Sequence, residues 1–381
     1  MIKQYLLSPG PTPIPNEVQL AMARTMIHHR TPEFAAVLEE ARQGLKPLFG
    51  TANDVIILAS SGTGAMEAGV ANLFSPKDKV VVINGGKFGE RWLRICRAFD
   101  LDVAEIEVKW GKAVSVSEVE ETLRAHPDTR GVLIQASETS TTTLHPVREI
   151  AALTRDNGPL LVVDGVTAVG VLPVPMDDWG IDALVTGSQK AMMLPPGLAF
   201  IGLSDRAWQR ARETASPRFY FDLESERKGQ AKGSTAYTPA VSLVFGLCAA
   251  LKLMREEGLE RVYARHDRMA RATRAAVTAM GLELLAPDNP SPAATGLYVP
   301  GGTDGDALLD YLRARMGVTL AEGQDHLQGK VIRIAHVGHM GAFDVIVAVS
   351  ALEMAFRKFG LAVTLGRGVA AAQEILVEAL D

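Results

Sequence analysis

The sequence predicts an α/β protein of two domains, a larger one built on a mostly parallel sheet and a smaller α+β one following it. Three observations predict this. Short apolar runs with the form of buried strands alternate with segments whose apolar residues recur at three- and four-residue spacing. The alternation stops after about Gly202, where a polar stretch leads into two long helical patterns. The chain also has 381 residues, more than one hydrophobic core usually holds.

The strands come first. Val55–Leu58, Lys79–Ile83, Val132–Ile134, Leu160–Val163 and Ala183–Val185 are short runs rich in Val, Ile and Leu. Helical periodicity fills most of the gaps, over Glu33–Phe49, Ala65–Leu73, Gly89–Phe99, Ser117–His126 and Pro146–Asp156. Arg206–Thr214 reads as a further helix, and Ser216–Thr238 as a long polar loop. Long helices follow at Pro239–Glu257 and Leu259–Met280. Strands are expected at Gly296–Val299 and Val331–Ala335, and helices at Asp304–Met316, Ala342–Phe359 and Val369–Leu380. The expected division is an N-terminal segment over residues 1–20, a large domain over 21–255 and a small domain over 256–381.

Composition excludes several classes. Hydrophobic residues make up 47% and charged residues 22%, as in ordinary globular proteins. The net charge is −5 with both signs well mixed, so no basic stripe calls for nucleic acid. Cys96 and Cys248 lie far apart, without His or Cys at zinc-ligand spacing, and read as reduced thiols. No metal site is expected. The N-terminus is too rich in Pro for a signal peptide, and Ala240–Met254 is too short for a membrane span. A cytoplasmic protein is expected.

In a parallel sheet, ligands bind beyond the carboxyl ends of the strands. Ile181–Gly197, IDALVTGSQKAMMLPPG, runs a strand into a turn that carries Lys190. A lysine desolvated there loses its proton more easily and can attack a carbonyl to form an imine. The alternative is a solvated surface lysine. Asp164 argues against it, because it ends the apolar strand of LLVVDGV one connection upstream. Ser60–Glu67, SSGTGAME, follows another strand and opens a helix, where free N–H groups suit a phosphate. It is neither a dinucleotide fingerprint, since Glu67 stands where a third Gly would, nor a Walker A loop. Arg333, in the apolar strand VIRIA, needs a buried anion or a cavity, and its planar fork fits a carboxylate.

Taken together, SPGP, HHRTPEF, SSGTGAME, NGGKFGER, ETSTTTLHP, VVDGVTAVG and GSQKAMMLPPG occur in an order that resembles the class V, subgroup IV, fold-type I aminotransferases. The resemblance runs from Leu7 to about Phe356 and is nearest to alanine–glyoxylate, serine–glyoxylate and serine–pyruvate enzymes. It implies the fold-type I architecture, with a large domain on a mostly parallel sheet of the seven-stranded type. It implies pyridoxal 5′-phosphate as cofactor, joined to Lys190, which also moves the substrate's α-proton. Asp164 would pair with the pyridine nitrogen, Val166 pack under the ring and Phe88 stack on it. Thr63, Gly64 and Gln189 would hold the phosphate, with Ala65 beginning the helix, and Ser140 would touch the ring hydroxyl side. Thr235 and Tyr237 resemble a segment lent by a partner subunit in a homodimer. RIAHVGH resembles the substrate-arginine motif, and Gly10 the loop lining the substrate site. His29 and Arg30 lie in a segment that related enzymes use near the site; adjacent His28 and His29 should point to opposite faces, which gives them no metal role.

The expected reaction passes an amino group from serine or alanine to glyoxylate or pyruvate, because one arginine is assignable to a carboxylate and no second one is. Other class V chemistry stays open: an aspartate donor, or lyase or hydrolase reactions. A cysteine desulfurase needs a mobile cysteine, and both cysteines fall in helical patterns. Some relatives carry the label of a soluble hydrogenase small subunit. With no cysteine set for iron–sulfur or nickel, such a role would be that of a partner chain.

Overall fold

The computed structural model describes residues 2–156 and 158–379. Its central sheet has seven strands, in the order Val55–Leu58, Ala199–Leu203, Ala183–Gly187, Leu160–Asp164, Gly131–Gln135, Lys79–Asn84, Asp102–Glu107. Every pairing is parallel except those of Ala199–Leu203, which runs antiparallel to both neighbours. Side chains alternate between two cores. Ile57, Val81, Val132, Val163 and Leu184 enter one; Ile56, Val82, Leu133, Val162 and Val185 enter the other. Burial on both faces explains why these strands read as continuous apolar runs rather than alternating ones.

The five expected strands are present, within a residue or two at their ends. Two more complete the sheet. Asp102–Glu107, DVAEIE, is an edge strand in which only Ile106 is fully buried, so its polar residues hide it. Ala199–Leu203 returns antiparallel directly after the Lys190 turn. A helix at Asn16–Met22 was not anticipated either.

Ser216–Thr238 is not one long loop. It holds the helix Leu223–Ala231, whose N-cap Asp222 accepts from the N–H of Ser225 at 2.8 Å. Only Leu223, Glu226 and Gln230 are buried in it, too few to show a period. Gln230 closes the open edge of Val55–Leu58. Its amide donates to the Ile57 carbonyl at 2.7 Å and accepts from the Ile57 N–H at 3.3 Å.

The C-terminal part carries an antiparallel sheet in the order Ala294–Tyr298, Val331–Ala335, Ala321–Glu322. Its own core gathers Leu297, Ile332, Ile334, Leu308, Val349 and Phe356. The expected helix Asp304–Met316 is α-helical over Gly305–Tyr311 and widens to a π turn over Leu312–Met316. The last helix spans Arg367–Leu376; its expected end, Leu380, lies outside the described residues. The N-terminal strand Tyr5–Leu6 pairs in parallel with Val318–Thr319 and sends the following residues towards the carboxyl ends of the large sheet. Among the described residues no helix is long and apolar enough to cross a membrane.

Candidate active site

Lys190 follows the strand Ala183–Gly187 in a turn fixed by Ser188. The Ser188 hydroxyl donates to the Pro195 carbonyl at 2.7 Å and accepts from the Leu198 N–H at 3.1 Å. Met193 closes the turn in the left-handed region, at φ 54°, with its N–H on the Lys190 carbonyl at 3.1 Å. Lys190 is half-buried, and its ammonium donates to the Pro9 carbonyl. Burial pulls its pKa down to about 8, helped by the positive charge of Arg333 and opposed by Asp164. Gly10 is next to it. A Cβ there would fall 2.6 Å from Lys190 Cε and closer still to Nζ, so glycine is what leaves the lysine its place.

Asp164 ends its strand 4% exposed, with Oδ1 accepting from the Val166 N–H at 2.8 Å. Burial raises its pKa to about 6, against the pull of Arg91 and Lys190. Val166 then leans on the phosphate-type loop: a Cβ on Gly62 would meet Val166 Cγ2 at 2.8 Å. In that loop the helix Gly62–Leu73 has no side-chain cap. The N–H groups of Gly64 and Ala65 return to the Ser61 carbonyl, whereas those of Gly62 and Thr63 have no acceptor among the described residues. A Cβ on Gly64 would meet Phe221 Cζ at 2.9 Å, besides Ser60. Gln189 Oε1 is buried without a hydrogen bond, and it lies on the same side of Gly187 as the Gly62 N–H. Orphaned N–H donors at a helix start and two glycines hemmed in by neighbours are what an anion-binding cradle requires; the unpaired Gln189 Oε1 is an acceptor, so that side chain meets an anion only with its amide turned to present Nε2.

Phe88 sits in the first turn of the helix Lys87–Ala98. That helix start is held by two residues of ETSTTT. Glu138 Oε2 accepts from the N–H groups of Phe88 at 3.1 Å and Gly89 at 3.0 Å. Ser140 Oγ accepts from the Lys87 N–H at 3.0 Å and donates to Glu138 Oε1. The Ser140 hydroxyl is therefore occupied as a helix cap. Glu138 is fully buried, and burial raises its pKa to about 7. Sequence reasoning passed over Glu138 and Arg91, although both stand in quoted motifs. Arg91 donates to Thr63 Oγ1 at 3.1 Å and lies 4.8 Å from the Phe88 ring centroid.

Arg333 is 6% exposed on the middle strand of the small sheet. Its Nε and Nη2 donate to the Glu322 carbonyl at 3.0 and 2.9 Å, and Nη1 to the Thr139 carbonyl at 2.8 Å. A guanidinium has five N–H donors, so a pair on Nη1 and Nη2 is left for an anion. Burial lowers its pKa to about 10, while Glu138 and Glu322 hold it up.

Thr235 and Tyr237 are not brought to Lys190 within one chain. Thr235 Oγ1 donates to the Tyr237 carbonyl, and the Tyr237 hydroxyl donates to the Phe219 carbonyl at 3.0 Å. His29 and Arg30 lie at the surface before the helix Pro32–Phe49. The rings of His28 and His29 stack 4.7 Å apart instead of diverging, because the chain turns there: the Thr31 N–H donates to the His28 carbonyl. No group of three or more metal-ligating side chains occurs among the described residues.

Comparison with known proteins settles the kinship. The model of the aminotransferase class-V family matches residues 4–339.

The chain belongs to the class V aminotransferases.

It is an aminotransferase of that pyridoxal-phosphate-dependent family, and its architecture is the family's fold type I. It is 38% identical to an L-aspartate–glyoxylate aminotransferase of Paracoccus denitrificans, over 96% of this chain and 94% of that protein. It is 35% identical to a serine–glyoxylate aminotransferase of Methylorubrum extorquens, over 99% and 96%. A protein of Synechococcus sp. named soluble hydrogenase, small subunit, is 42% identical over 98% of each chain. For this aminotransferase, the cysteines argue against the desulfurase alternative. Cys96 and Cys248 lie in helices, and burial pushes both thiols up to about 12. Neither is a mobile nucleophile of the kind a desulfurase needs.

Proposed function

We propose that this class V aminotransferase transfers the amino group of serine or alanine to glyoxylate or pyruvate, as a cytoplasmic homodimer. The observation that carries the reading is Arg333, a buried guanidinium with two N–H donors left over after its backbone contacts. It supplies one carboxylate anchor, which suits small monocarboxylate substrates. The names of the serine– and aspartate–glyoxylate relatives support an amino acid–glyoxylate pair.

Bound pyridoxal phosphate supplies a carbonyl carbon that takes the amine and a ring that accepts electron density from the α-carbon. Thr63, Gly64 and Gln189 would hold its phosphate at the helix start marked by Ala65. Phe88 and Val166 would enclose the ring, with Ser140 beside the ring hydroxyl through the cap it forms. Asp164 holds a proton at the ring nitrogen; its burial keeps water from competing for that carboxylate. Lys190, with a pKa near 8, is within reach of neutrality at working pH, so Nζ takes the proton from the substrate α-carbon and returns it. Gly10 and Pro9 wall the substrate side. Thr235 and Tyr237 would complete the partner subunit's phosphate site, which their separation from Lys190 within one chain accommodates.

An amino-donor screen tests this. Serine or alanine should bleach the cofactor absorbance of the purified enzyme in a single half-reaction, and glyoxylate or pyruvate should restore it. Rapid bleaching by aspartate or glutamate, with serine and alanine inert, would overturn the donor assignment in favour of the chemistry named for the Paracoccus relative.

A further inference from the structure

We propose that Arg91 is a phosphate-binding residue of the cofactor pocket, the cation that neutralises the phosphate dianion beside Thr63. The inference rests on the reading of Ser60–Gly64 as the phosphate cradle.

A phosphate dianion needs more positive charge than the cradle's backbone provides. The N-terminus of the helix Gly62–Leu73 is worth about half an elementary charge. Thr63 and Gln189 are neutral. Three other cations near the site are engaged elsewhere. Lys190 is held by the Pro9 carbonyl, where the amine of the reaction belongs. Arg333 is held by the Glu322 and Thr139 carbonyls on the opposite, small-domain side. Lys87 is paired with Glu90 and, at 2.7 Å, with Asp325.

Arg91 differs from these. It forms no ion pair within 4.0 Å among the described residues, and its contacts are Thr63 Oγ1 and the Phe88 ring. A half-buried guanidinium without a carboxylate is a donor set waiting for an anion. Its one side-chain hydrogen bond goes to the residue whose own N–H is also unpartnered. Its charge reaches inward as well, drawing Asp164 down and opposing the proton on Lys190. The guanidinium thus stands between Thr63 of the cradle and Phe88, the side chain expected to stack on the ring. Glu67, Glu90 and Arg94 line the same groove; Glu90 is engaged by Lys87, and Arg94 is exposed one turn further along the helix, without the contact to Thr63.

The test strips the cofactor from wild type, Arg91→Gln and Arg91→Lys, and titrates each with pyridoxal 5′-phosphate, pyridoxal and inorganic phosphate, read by protein fluorescence. Arg91→Gln should weaken pyridoxal phosphate binding at least about tenfold, the usual worth of a charge-assisted bond. Its affinity for pyridoxal should stay within about twofold, its competition by inorganic phosphate should fall in parallel, and Arg91→Lys should recover part of the loss. Equal losses for pyridoxal phosphate and pyridoxal would overturn the proposal, leaving Arg91 as packing for Phe88 and Thr63. Unchanged cofactor affinity with a lost half-reaction towards aspartate would also overturn it, making Arg91 a second carboxylate anchor. A wild type that binds pyridoxal as tightly as its phosphate would remove the cradle reading itself, a result separable from the others because it needs no variant. Circular dichroism of each variant distinguishes lost binding from lost folding.

Discussion

Two ionisable residues at the centre of the site are held away from their ordinary behaviour by the same cause, removal from water. Asp164 rises from 3.8 to about 6 and Lys190 falls from 10.5 to about 8. The consequences for the cofactor-free protein have a definite sign. Between about 4 and 6 the native state holds the Asp164 proton more tightly than the unfolded chain does. Stability from this group is therefore lost as pH rises through that window and stays lost above it. Between about 8 and 10.5 the unfolded chain keeps the Lys190 proton longer, so stability climbs with pH there. Asp164→Asn keeps an oxygen for the Val166 N–H and removes the buried charge. It should stabilise the stripped protein at pH 8 by up to about 3 kcal/mol, a figure that already contains the attraction of Arg91 and Lys190. The gain should shrink towards pH 5, and the loaded enzyme should lose most of its turnover. Urea unfolding at the two pH values measures this; a variant no more stable than wild type at pH 8 would mean that the carboxylate already has its counter-charge. The expected gain would make the site an instance of stability given up for chemistry.

At the scale of elements, what could be seen in the sequence was what burial writes into it. Val55–Leu58 or Leu160–Val163 could be located because both faces are covered, leaving no polar position in the run. Lys190, Asp164 and Thr63 could be placed because they stand where such runs end. Asp102–Glu107 could not, since an edge strand facing water carries its polar residues inside the run. Glu138 escaped because its role is to cap a helix fifty residues away in sequence, a long-range contact that no local pattern records. Gln230 is a similar case. It sits in a helix too polar to predict, yet its amide replaces a missing neighbour strand at Ile57. Gln230→Ala leaves a buried carbonyl and N–H unmet, and takes a donor from Glu226. A destabilisation of about 2–4 kcal/mol is expected in urea unfolding. A loss below about 0.5 kcal/mol would show that the edge finds water or another partner.

At the scale of the whole molecule, the groups that must meet the substrate belong to two separate cores. Lys190, Asp164 and Phe88 stand on the large sheet and its helices, whereas Arg333 stands on the small sheet. We propose that the division near residue 256 is a functional one, across which substrate binding must draw the two parts together. The structure joins them beside the site: Lys87 meets Asp325 at 2.7 Å, and the Trp110 and His326 rings lie 4.4 Å apart. The Asp325 side chain is half exposed, so the ion pair contributes little by itself. Trp110 matters more, because it also packs on the small core of Leu285, Leu327 and Val331. Removing it should favour conformers in which Arg333 is withdrawn, and apparent substrate affinity falls in proportion to the competent fraction. Trp110→Ala should raise KM for the amino donor about three- to tenfold, equivalent to roughly 1 kcal/mol of lost apolar contact. The affinity for pyridoxal phosphate, held by residues outside the small sheet, should be unchanged. Paired measurement of donor KM and cofactor Kd decides it. If both weaken together, Trp110 supports the large domain itself and the contact with His326 is not a clasp; if KM alone rises, the closure of the small sheet over Lys190 is what brings the carboxylate anchor to the amine.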